Sequence, residues 1–222
     1  MDTQALLLTL RLATITTILL LLVTTPLAYW IAFSKGRAKH FVEAAVALPL
    51  LLPPTVLGFY LLVLMGPRTG FGRAYIRVFG HPLAFSFGGL VVGSILYSLP
   101  FAVQPMVAGL SAIDRSLLDA ASLLGATRLL TFRKILLPLA RRSMLTATVL
   151  AFTHTVGEFG VVLMVGGDIP GATRTLSISI YDQVQEFSYS QASRTAALLL
   201  IFSFVALVLI YWRRGDTRAA NA

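Results

Sequence analysis

The sequence predicts an all-α integral membrane protein with five transmembrane helices and one long helical loop on the cytoplasmic side. Three observations lead there. Only 12% of the 222 residues are charged and 57% are hydrophobic, against about 25% charged residues in soluble domains. The apolar residues are gathered into runs long enough to cross a hydrocarbon core of roughly 30 Å. The basic residues gather in alternate connections between those runs, as they do in cytoplasmic loops.

The spans fall at about 12–34, 44–66, 85–110, 143–166 and 195–212, within a single domain over 1–222 whose core is about 9–212. The first run is uncharged, too long for a signal-peptide core, and lacks a small-residue cleavage site after it, so it reads as a retained span. The second contains "LPLLLPPTVLG" with Pro49, Pro53 and Pro54, and the third "YSLPFAVQPMVAG" with Pro100 and Pro105. An internal proline removes a helix hydrogen bond and kinks the chain. In hydrocarbon the freed groups need partners in protein or in a water-lined cavity. Spans two and three are therefore expected to face the bundle interior, with Pro53 and Pro54 as candidates for shaping a translocation path. The fourth span holds one charge, Glu158. The fifth has just enough residues to cross at about 1.5 Å each.

Twelve of the eighteen basic residues (Lys35, Arg37, Lys39, Arg115, Arg128, Arg133, Lys134, Arg141, Arg142, Arg213, Arg214 and Arg218) fall in the first and third connections and the tail. Placing these inside puts the N-terminus outside and the C-terminus in the cytoplasm. Of the outer connections, 73–79 is amphipathic and suited to the membrane interface, and 175–187 has the spacing of a short helix or a partly re-entrant segment.

Several chemistries are excluded. The chain has no cysteine, so disulfides, thiolate metal sites and cysteine nucleophiles are absent. His40, His81 and His154 lie far apart without ligand spacing, and no metal site is expected. The net charge of +9 is explained by the basic loops, and no aromatic-interleaved basic patch points to nucleic acid. An acidic residue at membrane depth is a functional candidate by default, which singles out Glu158. Pairing with Arg68 or Arg174 would give it a structural role instead, and His154, one turn earlier, is within i, i+4 reach. Thr146, Thr148, Thr153 and Thr155 supply hydroxyls on span four. Arg68, Arg73, Arg77 and Arg174 make the outer side positive.

The loop from Asp114 to Ala140 reads "DRSLLDAASLLGATRLLTFRKILLPLA". Asp114 is a suitable N-cap, Leu117, Leu118, Ala121 and Leu124 recur at helical spacing, and Gly125 can end the helix. A second short helix is expected before Pro138. Within this loop Asp119-Ala120-Ala121 is followed after three residues by Gly125, after nine more by Ile135, and then by Leu137-Pro138. The pattern resembles the loop of binding-protein-dependent ABC permeases, with Asp119 in place of the usual Glu. The resemblance implies a coupling loop, 114–138, whose coupling helix docks on an ATPase, with Asp119, Ala120, Ala121, Gly125, Ile135 and Pro138 as the coupling residues. The chain has no phosphate-binding loop of the G-x-x-x-x-G-K-[ST] type, so it is not itself the ATPase and not an enzyme.

"LPLLLPPTVLGFYLLVLMG" (48–66), "GRAYIRVFG" and "VGEFGVVLMVGGDIPGATRTLSISIYDQV" (156–184) are further similar to molybdate importer permeases, with Asp168 where those often carry Asn. Sulfate and tungstate permeases share similar segments. The resemblance implies a type I importer fold in a bacterial-type inner membrane and a second copy of the chain. It also implies two ATPase subunits binding ATP and Mg, an external oxyanion-binding protein, and no cofactor on this chain. A secondary transporter or channel would need ionisable residues in several spans, and only Glu158 and His154 qualify.

Overall fold

The computed structural model describes residues 2–215, side chains of 209–215 excepted; the rest of the tail, including Arg218, lies outside the described residues. The Asp2 carboxylate accepts the Ala5 amide at 3.0 Å, an N-cap that satisfies one of the free amides at a helix start. α1 (Thr3–Phe33) is therefore longer than the run 12–34 suggests. It takes in Arg11, whose guanidinium lies 4.6 Å from the centre of the Phe87 ring, an aromatic face that tolerates a cation beside apolar surface.

The second span is not one straight helix. α2 (Ala38–Leu51) and α3 (Pro54–Met65) are separated by a break at which the chain turns by 111°. The cause is local. Pro53 and Pro54 supply no amide, and a residue before proline is pushed out of the helical region. Leu52 and Pro53 accordingly adopt ψ 138° and 135°. Span two was expected inside the bundle, yet α2 and α3 lie at its edge and expose Leu48, Leu51, Phe59 and Tyr60. α4 (Gly70–Phe79) is a short helix over the segment expected to be amphipathic, capped by Thr69 and ended by Gly80 at φ +76°.

α5 (Phe87–Ser111) occupies the centre, contacted by α1, α2, α3, α8 and α9; Pro100 and Pro105 do not end it. α6 (Arg115–Leu123) and α7 (Arg128–Thr131) follow. The second short helix expected before Pro138 is α7, but it does not end as a separate element. Instead α7 runs through a π-helical turn, Phe132–Leu136, into α8 (Leu137–Gly157). The Leu137 amide bonds Phe132 O, and this i→i+5 turn falls immediately before Pro138, which has no amide to continue the α-helical ladder. The expected fourth span 143–166 also breaks, at Glu158–Phe159, before α9 (Gly160–Gly166). α10 (Leu176–Gln185) is the short helix expected in the outer loop, tied to α1 by the Leu176 amide on Thr9 Oγ1 at 2.9 Å. α11 (Tyr189–Gly215) closes the fold.

Among the described residues all regular structure is helical. Four helices are long and apolar enough to cross a membrane, five with the bent α2–α3 pair counted as one span. In hydrocarbon, helices associate through close packing rather than exclusion of water, and the seams are built accordingly. Ala28, Ala102, Ala147 and Ala151 are fully buried between α1, α5 and α8.

Candidate functional site

Two regions, one at each end of α8, hold most of the residues that the sequence singles out. The first is the 114–138 loop. The Asp114 carboxylate accepts the Ser116 amide at 2.9 Å, which holds its carboxyl below the ordinary aspartate range. At the other end of α6 the Gly125 amide bonds Ser122 O and the Ala126 amide bonds Ala121 O, both at 3.0 Å. That double closure needs a left-handed residue at its turn, and Gly125 has φ +77°. The turn displays Leu123 and Leu124, each 88% exposed, beside exposed Asp119, Ala120 and Gly125. Ala121 does not share that face: it is buried and, with Leu118, faces the protein. Ile135 is half-buried and Pro138 exposed.

The second region is a cavity of about 520 Å³ beside the breaks in spans two and four. It is lined by Pro54, Thr55, Tyr97, Thr153, His154, Gly157, Glu158, Phe159, Gly160, Leu163 and Met164. The two breaks meet there. A Cβ on Gly160 would fall 2.6 Å from Pro54 Cβ, and one on Gly58 2.7 Å from Met164 Cβ, so only glycine lets α9 lie this close to α3. Gly157, the other glycine flanking Glu158, meets open space.

Glu158 is 3% exposed. Neither carboxylate oxygen has a hydrogen-bond partner, and no cationic side chain among the described residues pairs with it. The expected pairing with Arg68 or Arg174 is not formed. The i, i+4 reach from His154 is not used for a hydrogen bond either. His154 Nδ1 is instead 2.9 Å from Ser98 Oγ, and its ring stacks on Phe101 at 4.0 Å. Of the span-four threonines, Thr146, Thr148 and Thr155 donate back to carbonyls of their own helix. Thr153 Oγ1 has no partner and lines the cavity. The polar side chains that α5 contributes here, Ser94, Tyr97 and Ser98, were not picked out from the sequence. Their i, i+3 and i, i+4 spacing on an apolar span was the available signal.

Arg174 is engaged elsewhere. It forks onto Asp168, with Nη2 2.9 Å from Oδ2 and Nε on Oδ1, and its Nε lies 3.5 Å from Asp182 Oδ2. The guanidinium holds the Asp168 carboxyl below its usual range, whereas burial and the neighbouring Asp168 push Asp182 up. The loop carrying this cluster turns at Gly167 and Gly171, both with positive φ, and is pinned by Thr173 Oγ1 on Gly166 O at 2.7 Å. Arg68, Arg73 and Arg77 remain exposed on the same side as this loop in the expected topology.

Residues 24–214 match the family described as binding-protein-dependent transport system inner membrane component. The chain is 50% identical over 213 residues to the molybdenum transport system permease protein ModB of Azotobacter vinelandii, covering 96% of this chain and 94% of that one. It is 32% identical to the putative molybdenum transport system permease protein YvgM of Bacillus subtilis, over 92% and 90%. It is also 33% identical to the sulfate transport system permease protein CysT of Salmonella typhimurium, over 78% and 62%. Among solved structures, the inward-facing MetNI methionine ABC transporter superposes with TM-score 0.72 at 18% identity, over 94% of this chain and 92% of that one. A bacterial alginate ABC importer gives 0.71 at 19%, over 98% and 79%. The loop spacing, the helical architecture and these matches agree: the chain belongs to the binding-protein-dependent transport system inner membrane component family and has the type I ABC importer permease fold.

Proposed function

We propose that this chain is the membrane subunit of an ATP-driven molybdate importer. It lies with its N-terminus outside and its C-terminus in the cytoplasm, and it works as a pair of copies with two ATPase subunits. ATP and Mg are bound and used by those partners, and this chain performs no catalysis. The observation that carries the reading is the α6 turn: an exposed leucine pair held on a positive-φ glycine, at the spacing of an ATPase-coupling loop. An apolar knob of that kind in water needs a partner. Asp119, Ala120 and Gly125 meet the ATPase, Ala121 anchors the knob to the bundle, and Ile135 and Pro138 carry its movement into α8.

The cavity at the paired breaks contributes to the passage. Thr153, Tyr97 and the free ends of the broken helices offer hydrogen bonds to an oxyanion without a fixed cation that would hold it. Glu158 shapes this region and is not a ligand for the anion, which its carboxylate would repel. The exposed Arg68, Arg73 and Arg77 favour approach of an acidic docking surface on an external binding protein. Molybdate is favoured over sulfate because the 50% identical relative is a molybdenum permease, while the sulfate permease matches at 33% and over less of the chain.

The test is uptake of labelled molybdate into proteoliposomes holding the chain with a cognate ATPase and binding protein. Uptake requires ATP, resists a large excess of sulfate, and is lost in Gly125→Trp together with ATPase retention. Transport driven by an ion gradient without ATP would refute the reading. So would an intact, active Gly125→Trp complex. Competition by sulfate at equal concentration would move the cargo assignment to sulfate.

A further inference from the structure

We propose that a groove between α1 and the α7–π-turn segment binds one anionic phospholipid of the cytoplasmic leaflet. The groove holds about 530 Å³, within the roughly 300–1,000 Å³ of small-molecule sites. Its walls are apolar, formed chiefly by Leu22, Pro26, Tyr29, Leu129 and Phe132, and Arg128 is its one charged lining residue. Tyr29 and Phe132 meet edge-on at 5.7 Å and fix the back wall. Arg128 is exposed, and no acidic side chain among the described residues lies within ion-pair distance of it.

The position of the groove selects the occupant. Leu19, Leu22 and Val23 on the outer face of α1 are exposed, where a membrane span meets hydrocarbon. One to two turns on stand Tyr29 and Trp30, followed by Lys35 and Arg37, the aromatic and basic residues that mark the headgroup level. The groove thus opens sideways onto the bilayer, apolar at acyl depth and cationic at phosphate depth. An acyl chain along Leu22 and Pro26 with its phosphate on Arg128 satisfies both ends. A free phosphate would leave the apolar wall unused, and a neutral lipid would leave Arg128 unpaired. Basic pockets on the cytoplasmic side of membrane helices suit acidic headgroups for this reason. Because Leu129 and Phe132 belong to the stretch joining the Gly125 turn to α8, a bound lipid braces that stretch against α1.

The inference rests on the orientation proposed above, and the two are tested apart. The natural chain has no cysteine, so Arg128→Cys labelled by an impermeant maleimide reports the side directly. Labelling from the outer side alone refutes the orientation, and with it the leaflet. The lipid itself is read by native mass spectrometry of the intact permease–ATPase complex released from nanodiscs of equal phosphatidylglycerol and phosphatidylcholine. The wild type retains one phosphatidylglycerol per permease chain. Arg128→Gln lowers retention about fivefold, the equivalent of about 1 kcal/mol for one basic residue near the surface, and Arg128→Lys keeps most of it. Thr25 also lines the groove, and Thr25→Trp fills it, leaves the charge in place, and also loses the lipid. ATPase retained in the same spectra shows that each variant is folded. Equal retention of phosphatidylcholine, undiminished retention in Arg128→Gln or Thr25→Trp, or cross-linking of Leu129→Cys to the ATPase overturns the proposal.

Discussion

Replacing Gly125 by alanine separates backbone geometry from bulk at the α6 turn. A Cβ at this position would meet nothing within 4 Å, so alanine brings no clash inside the chain. What it brings is the cost of φ +77° for a residue with a side chain, about 1–2 kcal/mol. If docking requires the turn as it stands, that cost appears in full as lost affinity for the ATPase, roughly five- to thirty-fold. Asparagine enters the left-handed region more readily than alanine and falls closer to glycine. Valine, branched at Cβ, falls below alanine. The assay is a titration of purified ATPase subunit onto each permease variant in detergent, with the dissociation constant as readout. The order glycine, asparagine, alanine, valine is the expected result. Alanine binding as tightly as glycine would refute the requirement for a positive-φ turn and leave the exposed leucines as the sole docking feature.

Gly160→Ala drives a Cβ to 2.6 Å from Pro54 Cβ and should lower stability by about 1–3 kcal/mol, seen as a lower melting temperature. Gly157→Ala, facing open space, should not. Glu158→Gln replaces a buried carboxyl that finds no partner at nearly constant volume. It should melt no lower than the wild type and still take up molybdate; a folded variant without uptake would assign the carboxylate a direct role in transport. Asp168→Asn should lower the melting temperature at pH 7. Because Arg174 depresses the folded Asp168 pKa, that stabilisation is complete above the ordinary aspartate pKa and is lost as pH falls through the depressed value. The difference from wild type should therefore close only in strong acid. Asp182, raised by burial and by Asp168, has the opposite sign, and Asp182→Asn should not destabilise at neutral pH.

The spans were legible because a bilayer demands long apolar runs, a signal that survives any detail of packing. The loop was legible because caps and turns are local: Asp114 and Gly125 do in the structure what their residue types suggest. The breaks were only half legible. Pro53-Pro54 announces a kink, but not the 111° turn nor the placement of α2–α3 at the edge, which depend on neighbours. The Glu158–Phe159 break has no proline to mark it. It lies where Gly160 packs against Pro54, two residues more than one hundred positions apart. The partner of Arg174 was misjudged for a related reason. Asp168 lies six residues before it across a loop whose two positive-φ glycines fold the carboxylate back, and that geometry, not proximity in sequence to Glu158, decides the pairing. Ala121 turned inward because α6 must bury one stripe, and its helical phase with Leu118 fixes which.

One continuous helical path joins the two regions. The stretch from Arg128 to Gly157 is continuous through the π turn, and α8 alone, 21 residues long, spans about 32 Å at 1.5 Å per residue. Its loop end carries Ile135 and Pro138 and its far end carries His154 and the Glu158 break. Near the loop end it runs tightly against α5, where a Cβ on Gly109 would lie 2.0 Å from Ser143 Oγ. Beyond that level Ala147 and Ala151 keep α8 packed against α1 and α5, and a helix packed along its length moves with its neighbours as one body up to the break. In the importer proposed above, displacement of the loop by the ATPase would then reappear at the level of Pro54 and Glu158, where spans two and four are both already broken. The unpartnered hydroxyl of Thr153 and carboxylate of Glu158 lie at that level. Polar groups left unsatisfied in one arrangement are those that can find partners in another, and under the function proposed above this marks the paired breaks, more than the straight spans, as the element whose rearrangement would open the passage.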